Sequence, residues 1–341
     1  MKGIKVVLKE AQKVKSILRD CGLIDNSKNI KKKNGFIFFP IKNSAKVKKL
    51  IKNAEIVDEK FKKIEKTKSL KKAVEKKLTK KELKKLKTSF DVVGSIAILE
   101  IDKELEKKEK FIAETLIKIN PKIKTVLKKE GHHEGVFRTQ KMKFLAGDDT
   151  RETVHRENGV SIKINVENVY FSVRLSTERK RISEMVKPGE KILVMFSGAA
   201  PYVCVIAKNS KASEIVGVEI NPLAHKYALE NLKINKIKNA RLYLGDVREI
   251  VPELKEKFDR IIMPLPKSAG DFLDIALSSS KKGTVIHFYD FLHEEEMPKK
   301  AVEKIEKACK KAGLNFRVLH WNKCGQYTKK GYRVCVDFKI V

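Results

Sequence analysis

The sequence predicts an α/β protein whose last third folds as a doubly wound parallel sheet, preceded by an α+β middle module and a small basic α/β module. Three observations carry this. From Lys191 onward, short apolar runs alternate with helix-like segments, the pattern of parallel strands joined by crossover helices. Two closing runs, 315–321 and 332–340, have no helix between them and so predict an antiparallel hairpin on that sheet. A length of 341 residues gives room for two or three domains, each with a core of its own.

In chain order, residues 1–60 read as the small module. An amphipathic segment over 10–21 precedes the apolar strand Phe36-Ile37-Phe38-Phe39-Pro40, and a helix pattern over 45–53 leads into Glu55-Ile56-Val57. Residues 61–88 are nearly all Lys, Glu and Leu, without Gly or Pro, and are expected to form a solvated linker. The middle module, 89–168, opens on a strand-like stretch over 91–101 and a helix-like one over 103–119. From 136 onward it alternates as antiparallel strands, with a turn at Glu157-Asn158-Gly159. Residues 169–341 hold the parallel sheet. Strands are expected over 191–196, 215–220, 241–246, 260–266 and 284–292, with helices ending at Asn209 and over 221–236 and 294–312.

The charge points to a partner. Lys and Arg number 76 against 43 Asp and Glu, a formal net charge of +33. Only 12 of the basic residues are Arg, so part of the excess is a general preference for Lys. Its distribution says more: residues 1–90 hold 29 basic and 9 acidic residues. A lysine-dense front on a globular body favours a polyanion, most commonly a folded nucleic acid; a solvated face without a partner is the alternative. No apolar run approaches the ~18 residues of a membrane span. Met1-Lys2-Gly3-Ile4-Lys5 has no apolar signal region, so a cytoplasmic location is expected. The cysteines, Cys21, Cys204, Cys309, Cys324 and Cys335, are scattered and form no C-x-x-C pair, which fits a reducing compartment and no metal site. His132-His133 reads as surface loop, and His287 and His320 as structural.

In open α/β sheets, ligands bind at the carboxyl ends of the strands. The small-residue loop Phe196-Ser197-Gly198-Ala199-Ala200-Pro201 follows the first strand and allows close backbone approach. Glu219 ends the second strand, where a carboxylate can accept from both ribose hydroxyls, and Asp246 ends the third, within reach of an adenine amino group. Each signal alone is weak, since strand-end acids are commonly just solvated. In this order they favour an adenosine ligand. A dinucleotide is disfavoured because no G-x-G-x-x-G is present. A doubly wound sheet with a closing hairpin has the shape of the Rossmann-like S-adenosylmethionine methyltransferase fold.

From about Phe137 onward the chain resembles the archaeal and eukaryotic tRNA (guanine-37-N1)-methyltransferases, including relatives acting in wyosine biosynthesis. The resemblance rests on Phe137-Arg138, Leu145-Ala146-Gly147, His155-Arg156-Glu157-Asn158-Gly159 and the block from Val169-Tyr170-Phe171-Ser172 to Glu178-Arg179. It continues through Met195-Phe196-Ser197-Gly198, Glu219-Ile220-Asn221-Pro222, Gly245-Asp246-Val247-Arg248, Met263-Pro264-Leu265-Pro266-Lys267 and Val336-Asp337-Phe338-Lys339. Residues 1–60 resemble, more loosely, the family's small domain that contacts the tRNA outer corner.

The resemblance implies Glu178 as general base and Arg138 as the group that steadies guanine O6. The chemistry suits them. N1 of guanine carries a proton at neutral pH that a nearby carboxylate can remove as the methyl bond forms. The charge then shifts to O6, where a guanidinium stabilises it. A surface ion pair of Glu178 with Arg179 or Arg181, and a plain phosphate contact for Arg138, are the alternatives. The resemblance further implies Arg179, Phe196, Ser197, Gly198, Glu219, Ile220, Asp246, Val247 and Pro264 at S-adenosylmethionine, and Pro266 and Lys267 at the substrate. It implies a monomer without metal that binds the anticodon stem-loop and outer corner of tRNA, partly through the lysine tract of residues 60–87.

The chain departs from the family at three places: Val194 replaces an acid, Ala200 a glycine, and Pro264 an asparagine. The last removes a side-chain amide where donor and base would meet. The expected function is therefore N1-methylation of guanosine 37. The alternatives are a wyosine-pathway enzyme at the same nucleotide (methylation of a demethylwyosine-type tricycle, or aminocarboxypropyl transfer), a non-catalytic RNA-binding protein, or a methyltransferase of protein or small molecules.

Overall fold

Apolar residues two apart along short strands build the first sheet. The strands β1 (Lys2–Val7), β2 (Lys31–Lys33), β3 (Phe36–Pro40) and β4 (Glu55–Asp58) pair in the order β2-β3-β1-β4, all antiparallel. Helices α1 (Ala11–Asp20) and α2 (Ser44–Leu50) supply Leu18 and Val47 to a core with Ile4 and Phe39. Asn43 starts α2 by accepting from the Lys46 N–H at 3.0 Å. The computed structural model describes residues 1–63, 69–131, 135–265 and 268–341, and the chain divides into two compact units, Met1–Ser69 and Leu70–Val341.

The second unit begins with a correction. Within the stretch expected to be a solvated linker, α3 (Leu70–Val74) and α4 (Lys80–Lys85) form, and Leu70, Val74, Leu78 and Leu86 are buried. Leu70 and Val74 lie four apart on one side of α3 and Leu78 is buried in the turn that follows, while Lys71, Lys76, Lys77 and Lys80 stay exposed. A capping box at Thr79 and Glu82 starts α4. These buried residues pack on Leu99, Leu105, Ile112 and Leu116, in the core of a sheet with α5 (Glu109–Ile119). That sheet has the order β5 (Asp91–Val93), β6 (Ile96–Leu99), β7 (Thr125–Lys129), β8 (Met142–Gly147); only β6 and β7 are parallel.

After the hairpin β9 (Glu152–Glu157) and β10 (Val160–Asn165) comes α6 (Ser176–Met185), followed by the large sheet. Its strands are β11 (Lys191–Met195), β12 (Glu214–Glu219), β13 (Ala240–Leu244), β14 (Phe258–Met263), β15 (Ser280–His293), β16 (Phe316–Gln326) and β17 (Gly331–Ile340). The order is β13-β12-β11-β14-β15-β17-β16, parallel through β15, with β17 and β16 as the expected antiparallel hairpin. Connecting helices are α7 (Pro201–Asn209), α8 (Pro222–Ile234), α9 (Val247–Leu254), α10 (Leu273–Ser278) and α11 (Lys299–Lys311). The last was expected from 294; a 3₁₀ turn occupies Glu294–Glu296 and the α-helix starts only after Pro298.

Alternation along the strands splits the core between two faces. Ile192 and Val194 of β11 pack beneath α7 and α8, and Leu193 and Met195 pack beneath α9 to α11. The β9–β10 hairpin docks on α8 through two asparagines. Asn231 accepts from the Lys163 N–H at 2.7 Å and donates to its carbonyl at 3.0 Å; Asn235 does the same for Ser161 at 2.8 and 2.7 Å. These amides satisfy a strand edge much as another strand would. Among the described residues, no helix is long and apolar enough to cross a membrane.

Candidate active site

Strand order reverses between β11 and β14, and the loops at the carboxyl ends of β11, β12, β13 and β14 gather there. The loop after β11 holds three left-handed residues, Phe196 (φ +57°), Gly198 (φ +58°) and Ala200 (φ +62°). Gly217 of β12 lets that loop come close. A Cβ there would stand 2.6 Å from Leu242 Cδ2 and 3.2 Å from Ser197, while the Ser197 N–H donates to the Val218 carbonyl at 2.8 Å.

One acid contacts this loop and a second ends the neighbouring strand. Glu219 is buried, its carboxylate accepting from the Gly198 N–H at 2.7 Å and the Asn221 N–H at 2.8 Å. Burial raises its pKa, with those N–H groups opposing. Asp246 caps α9 by accepting from the Arg248 N–H at 2.8 Å. Arg248 lies 3.9 Å over the Phe272 ring, which meets Phe196 edge-on at 4.9 Å. Val247 is buried and Ile220 exposed. Pro264 follows β14, where the Leu265 N–H closes a tight turn onto the Met263 carbonyl at 2.8 Å. Pro266 and Lys267, like His132 and His133, lie outside the described residues.

Beside these loops, β15 and β17 form a polar ladder. Register pairs His287 with Asp337, Tyr289 with Cys335, and Phe291 with Arg333. Residues two apart share a face, so the three rungs stand in a row at about 7 Å spacing. Glu178 of α6 reaches the middle rung. It is 4% exposed and accepts from Tyr289 Oη at 2.7 Å, from Asn322 Nδ2 at 3.0 Å, and from Arg181 through both oxygens at 2.7 and 2.8 Å. Burial works to raise its pKa, but the bonds and charge of Arg181 outweigh this and hold it below the usual glutamate value. The expected alternative, an ion pair with Arg181, thus exists, with the carboxylate buried and the guanidinium only partly exposed.

The lowest rung is structural. Arg181 Nη1 donates to Asp337 at 2.5 Å, and His287 Nδ1 bonds Asp337 at 2.6 Å. Arg260 can only donate, so His287 Nε2 accepts from it at 2.7 Å and the ring is neutral. Burial lowers its pKa accordingly. The donor atoms of His287, Cys335 and Asp337 lie within 4.8 Å of one another, but Arg181 and Arg260 already bring positive charge into that space.

The third rung belongs with Arg138. Arg333 donates to Tyr170 Oη at 2.7 Å and lies over the Phe291 ring at 5.2 Å. Arg138, in the left-handed region at φ +52°, has its pKa lowered by burial, with the charge of Arg333 adding to this. Glu178 thus meets the middle rung and Arg333 stands on the next, with Arg138 within the reach of its charge. Arg179 goes elsewhere. At 1% exposure it pairs with Glu157 through two bonds, donates to the Ser172 carbonyl at 3.1 Å, and lies over Phe171 and Tyr202. Sequence reasoning passed over Tyr289, Asn322 and Arg333, which lie on β15, β16 and β17, although Val336-Asp337-Phe338 pointed to the last of these strands.

Residues 153–319 match the family described as the TRM5/TYW2 methyltransferase domain, residues 70–150 the TYW2 N-terminal domain, and residues 3–54 the tRNA methyltransferase 5 N-terminal domain. The tRNA (guanine(37)-N(1))-methyltransferase Trm5b of Pyrococcus abyssi is 36% identical over 99% of this chain and 98% of its own length. The tRNA(Phe) (4-demethylwyosine(37)-C(7)) aminocarboxypropyltransferase of Pyrococcus horikoshii is 31% identical over 73% of this chain and 87% of its own. Among solved structures, a complex of aTrm5 with tRNALeu matches with a TM-score of 0.73 and 32% identity, covering both chains completely. This chain belongs to the TRM5/TYW2 family of methyltransferases.

Proposed function

We propose that the chain transfers the methyl group of S-adenosylmethionine to N1 of guanosine 37 in tRNA. The observation that carries this is a buried carboxylate, Glu178, bonded to Tyr289, whose hydroxyl lies 3.1 Å from that of Tyr202 in the helix that follows the strand-tip loop, one rung from Arg333. The residues present fit the adenosyl group: Glu219 is fixed by backbone N–H groups at the end of β12, and Asp246 stands at the end of β13. S-adenosylmethionine supplies an electrophilic methyl group on a sulfonium. Glu219 would accept from the ribose hydroxyls and Asp246 from the adenine amino group. Tyr289, Asn322 and Arg181 hold Glu178 in one orientation and keep it ionised, so that it can take the N1 proton as the methyl bond forms. Arg138 would steady the charge that moves to O6. The reading makes the protein an RNA-binding, cytoplasmic enzyme; its cysteines are all unpaired.

Full-length coverage favours N1-methylation over aminocarboxypropyl transfer. The Trm5b relative aligns over 99% of this chain, the aminocarboxypropyltransferase over 73%. Pro264 favours a second reading, methylation of a demethylwyosine-type tricycle, because it leaves no side-chain amide at that position. The test is to incubate the full chain with labelled donor and an unmodified tRNA transcript, then analyse the nucleosides. N1-methylguanosine at position 37 is expected, and a product formed only on demethylwyosine-containing tRNA would replace the first reading by the second. Glu178→Gln should slow transfer by about 10²–10⁴-fold with donor affinity kept; an undiminished rate removes the base assignment.

A further inference from the structure

We propose that Arg333 binds a phosphodiester oxygen of the target nucleotide's strand, as a substrate-positioning group beside Arg138. The inference rests on the tRNA-methylating reading above and adds to it a contact on the backbone of the substrate.

Arg333 is 8% exposed, yet its Nε–H is buried without a hydrogen-bond partner among the described residues. Such an orphan is rare, because a buried unpaired donor forfeits the hydrogen bond that water gave it. No carboxylate among the described residues forms an ion pair with this guanidinium; Tyr170 takes one of its Nη2 hydrogens at 2.7 Å. Burial lowers the Arg138 pKa, Tyr170 opposes this, and the charge of Arg333 adds a smaller lowering. A planar forked donor with an unpaired N–H suits a phosphate oxygen.

Position supports the same ligand. β14 ends level with Phe288 at Met263, whereas β15 runs on to His293. The Phe291–Arg333 rung therefore stands beyond the tip of β14, on the side of Pro264 and the other carboxyl-end loops. The Phe291 ring beneath Arg333 is tilted against Tyr327 at 4.3 Å, and Tyr327 is exposed. A polyanion with unstacked bases finds here both a cation and aromatic surface, the combination that single-stranded nucleic acid uses.

The experiment compares the unaltered full chain, Arg333→Gln and Arg333→Lys. It measures tRNA dissociation constants from 50 to 300 mM salt, S-adenosylmethionine affinity, and methyl-transfer kcat/KM on a tRNA transcript. For Arg333→Gln, the expected result is a 10- to 100-fold loss of kcat/KM with donor affinity within twofold. The slope of log affinity against log salt should also fall by about 0.7–0.9, the value of one released counterion. Arg333→Lys should keep the slope, since it keeps the charge. An unchanged slope in Arg333→Gln overturns the proposal, whether or not activity falls, and assigns any loss to a base contact or to packing. An equal loss of slope in Arg333→Lys and Arg333→Gln also overturns it. If the unaltered chain methylates no tRNA, it is the functional reading that fails, and this shows before any variant is compared.

Discussion

Ala200 stands in the left-handed region in the loop after β11, where the resemblance leads one to expect glycine. That conformation costs an L-residue about 1–2 kcal/mol. Removing its buried methyl group costs about 0.8 kcal/mol and extra unfolded-state freedom about 0.4–1 kcal/mol. The terms nearly cancel, so Ala200→Gly should leave stability within about 0.5 kcal/mol of the parent. Ala199, equally buried and without a positive φ, has no strain to release. Ala199→Gly should therefore lose about 1–2 kcal/mol, and equal losses in the two variants, read as denaturation midpoints, would refute strain at Ala200. At this scale the sequence shows which residues lie at strand tips, because a strand's apolar run ends visibly and Glu219 and Asp246 stand at those ends. It does not show what holds them. Arg181 follows Glu178 by three residues, which predicts at most an exposed helical pair; the second acid on Arg181, Asp337, lies 156 residues away, and only tertiary packing buries both pairings.

Between elements, the decisive pair is Glu157 of β9 with Arg179 of α6, which ties the hairpin to the helix carrying Glu178. Burial would raise the Glu157 pKa, but bonds from His155 and Arg179 bring it down to about 2. Glu157→Gln leaves a buried guanidinium without its counterion and should cost about 3–5 kcal/mol. The pH dependence has a definite sign. A carboxyl with a depressed folded pKa contributes stability above its unfolded value of 4.5, and loses it as pH falls toward 2. The gap between parent and Glu157→Gln should therefore be constant from pH 7 to 5 and narrow from pH 4.5 to 3; a gap that widens on acidification would contradict the pairing. The parallel strands were legible because strands buried on both faces read as continuous apolar runs. The docking of β9–β10 was not, because it depends on Asn231 and Asn235, which look like solvent-facing helix residues until the strand edge meets them. The lysine tract misled for a related reason: its buried residues, Leu70, Val74, Leu78 and Leu86, are single leucines and a valine spread over a short helix, a turn and a helix end, diluted by the lysines around them.

Across the whole molecule, charge and core are divided unevenly. Met1–Ser69 holds 20 basic and 7 acidic residues and has its own core of Ile4, Val6, Leu18, Phe39 and Val47. Among the described residues, the cores of Leu70–Val341 are built from that unit's own side chains. Three of its acids, Asp58, Glu55 and Glu59, are already paired with Lys2, Lys5 and Lys31, so the excess charge is carried by other lysines. Such a unit can bind a polyanion without shaping the adenosine cradle, whose residues all belong to Leu70–Val341. Deleting residues 1–69 should therefore separate two affinities. S-adenosylmethionine should bind within about twofold of the full chain. Binding to full-length tRNA should weaken at least tenfold in 0.1 M salt. Each phosphate that the protein no longer neutralises lowers the log–log salt slope by about 0.9 on a duplex backbone, so two or more such phosphates reduce it by about 2. An isolated anticodon stem-loop should suffer less than full-length tRNA, because the similar N-terminal domain is expected at the outer corner. Equal weakening on both RNAs would move the basic unit's footprint to the anticodon arm, and an unchanged slope on full-length tRNA would leave its lysines as solvated surface.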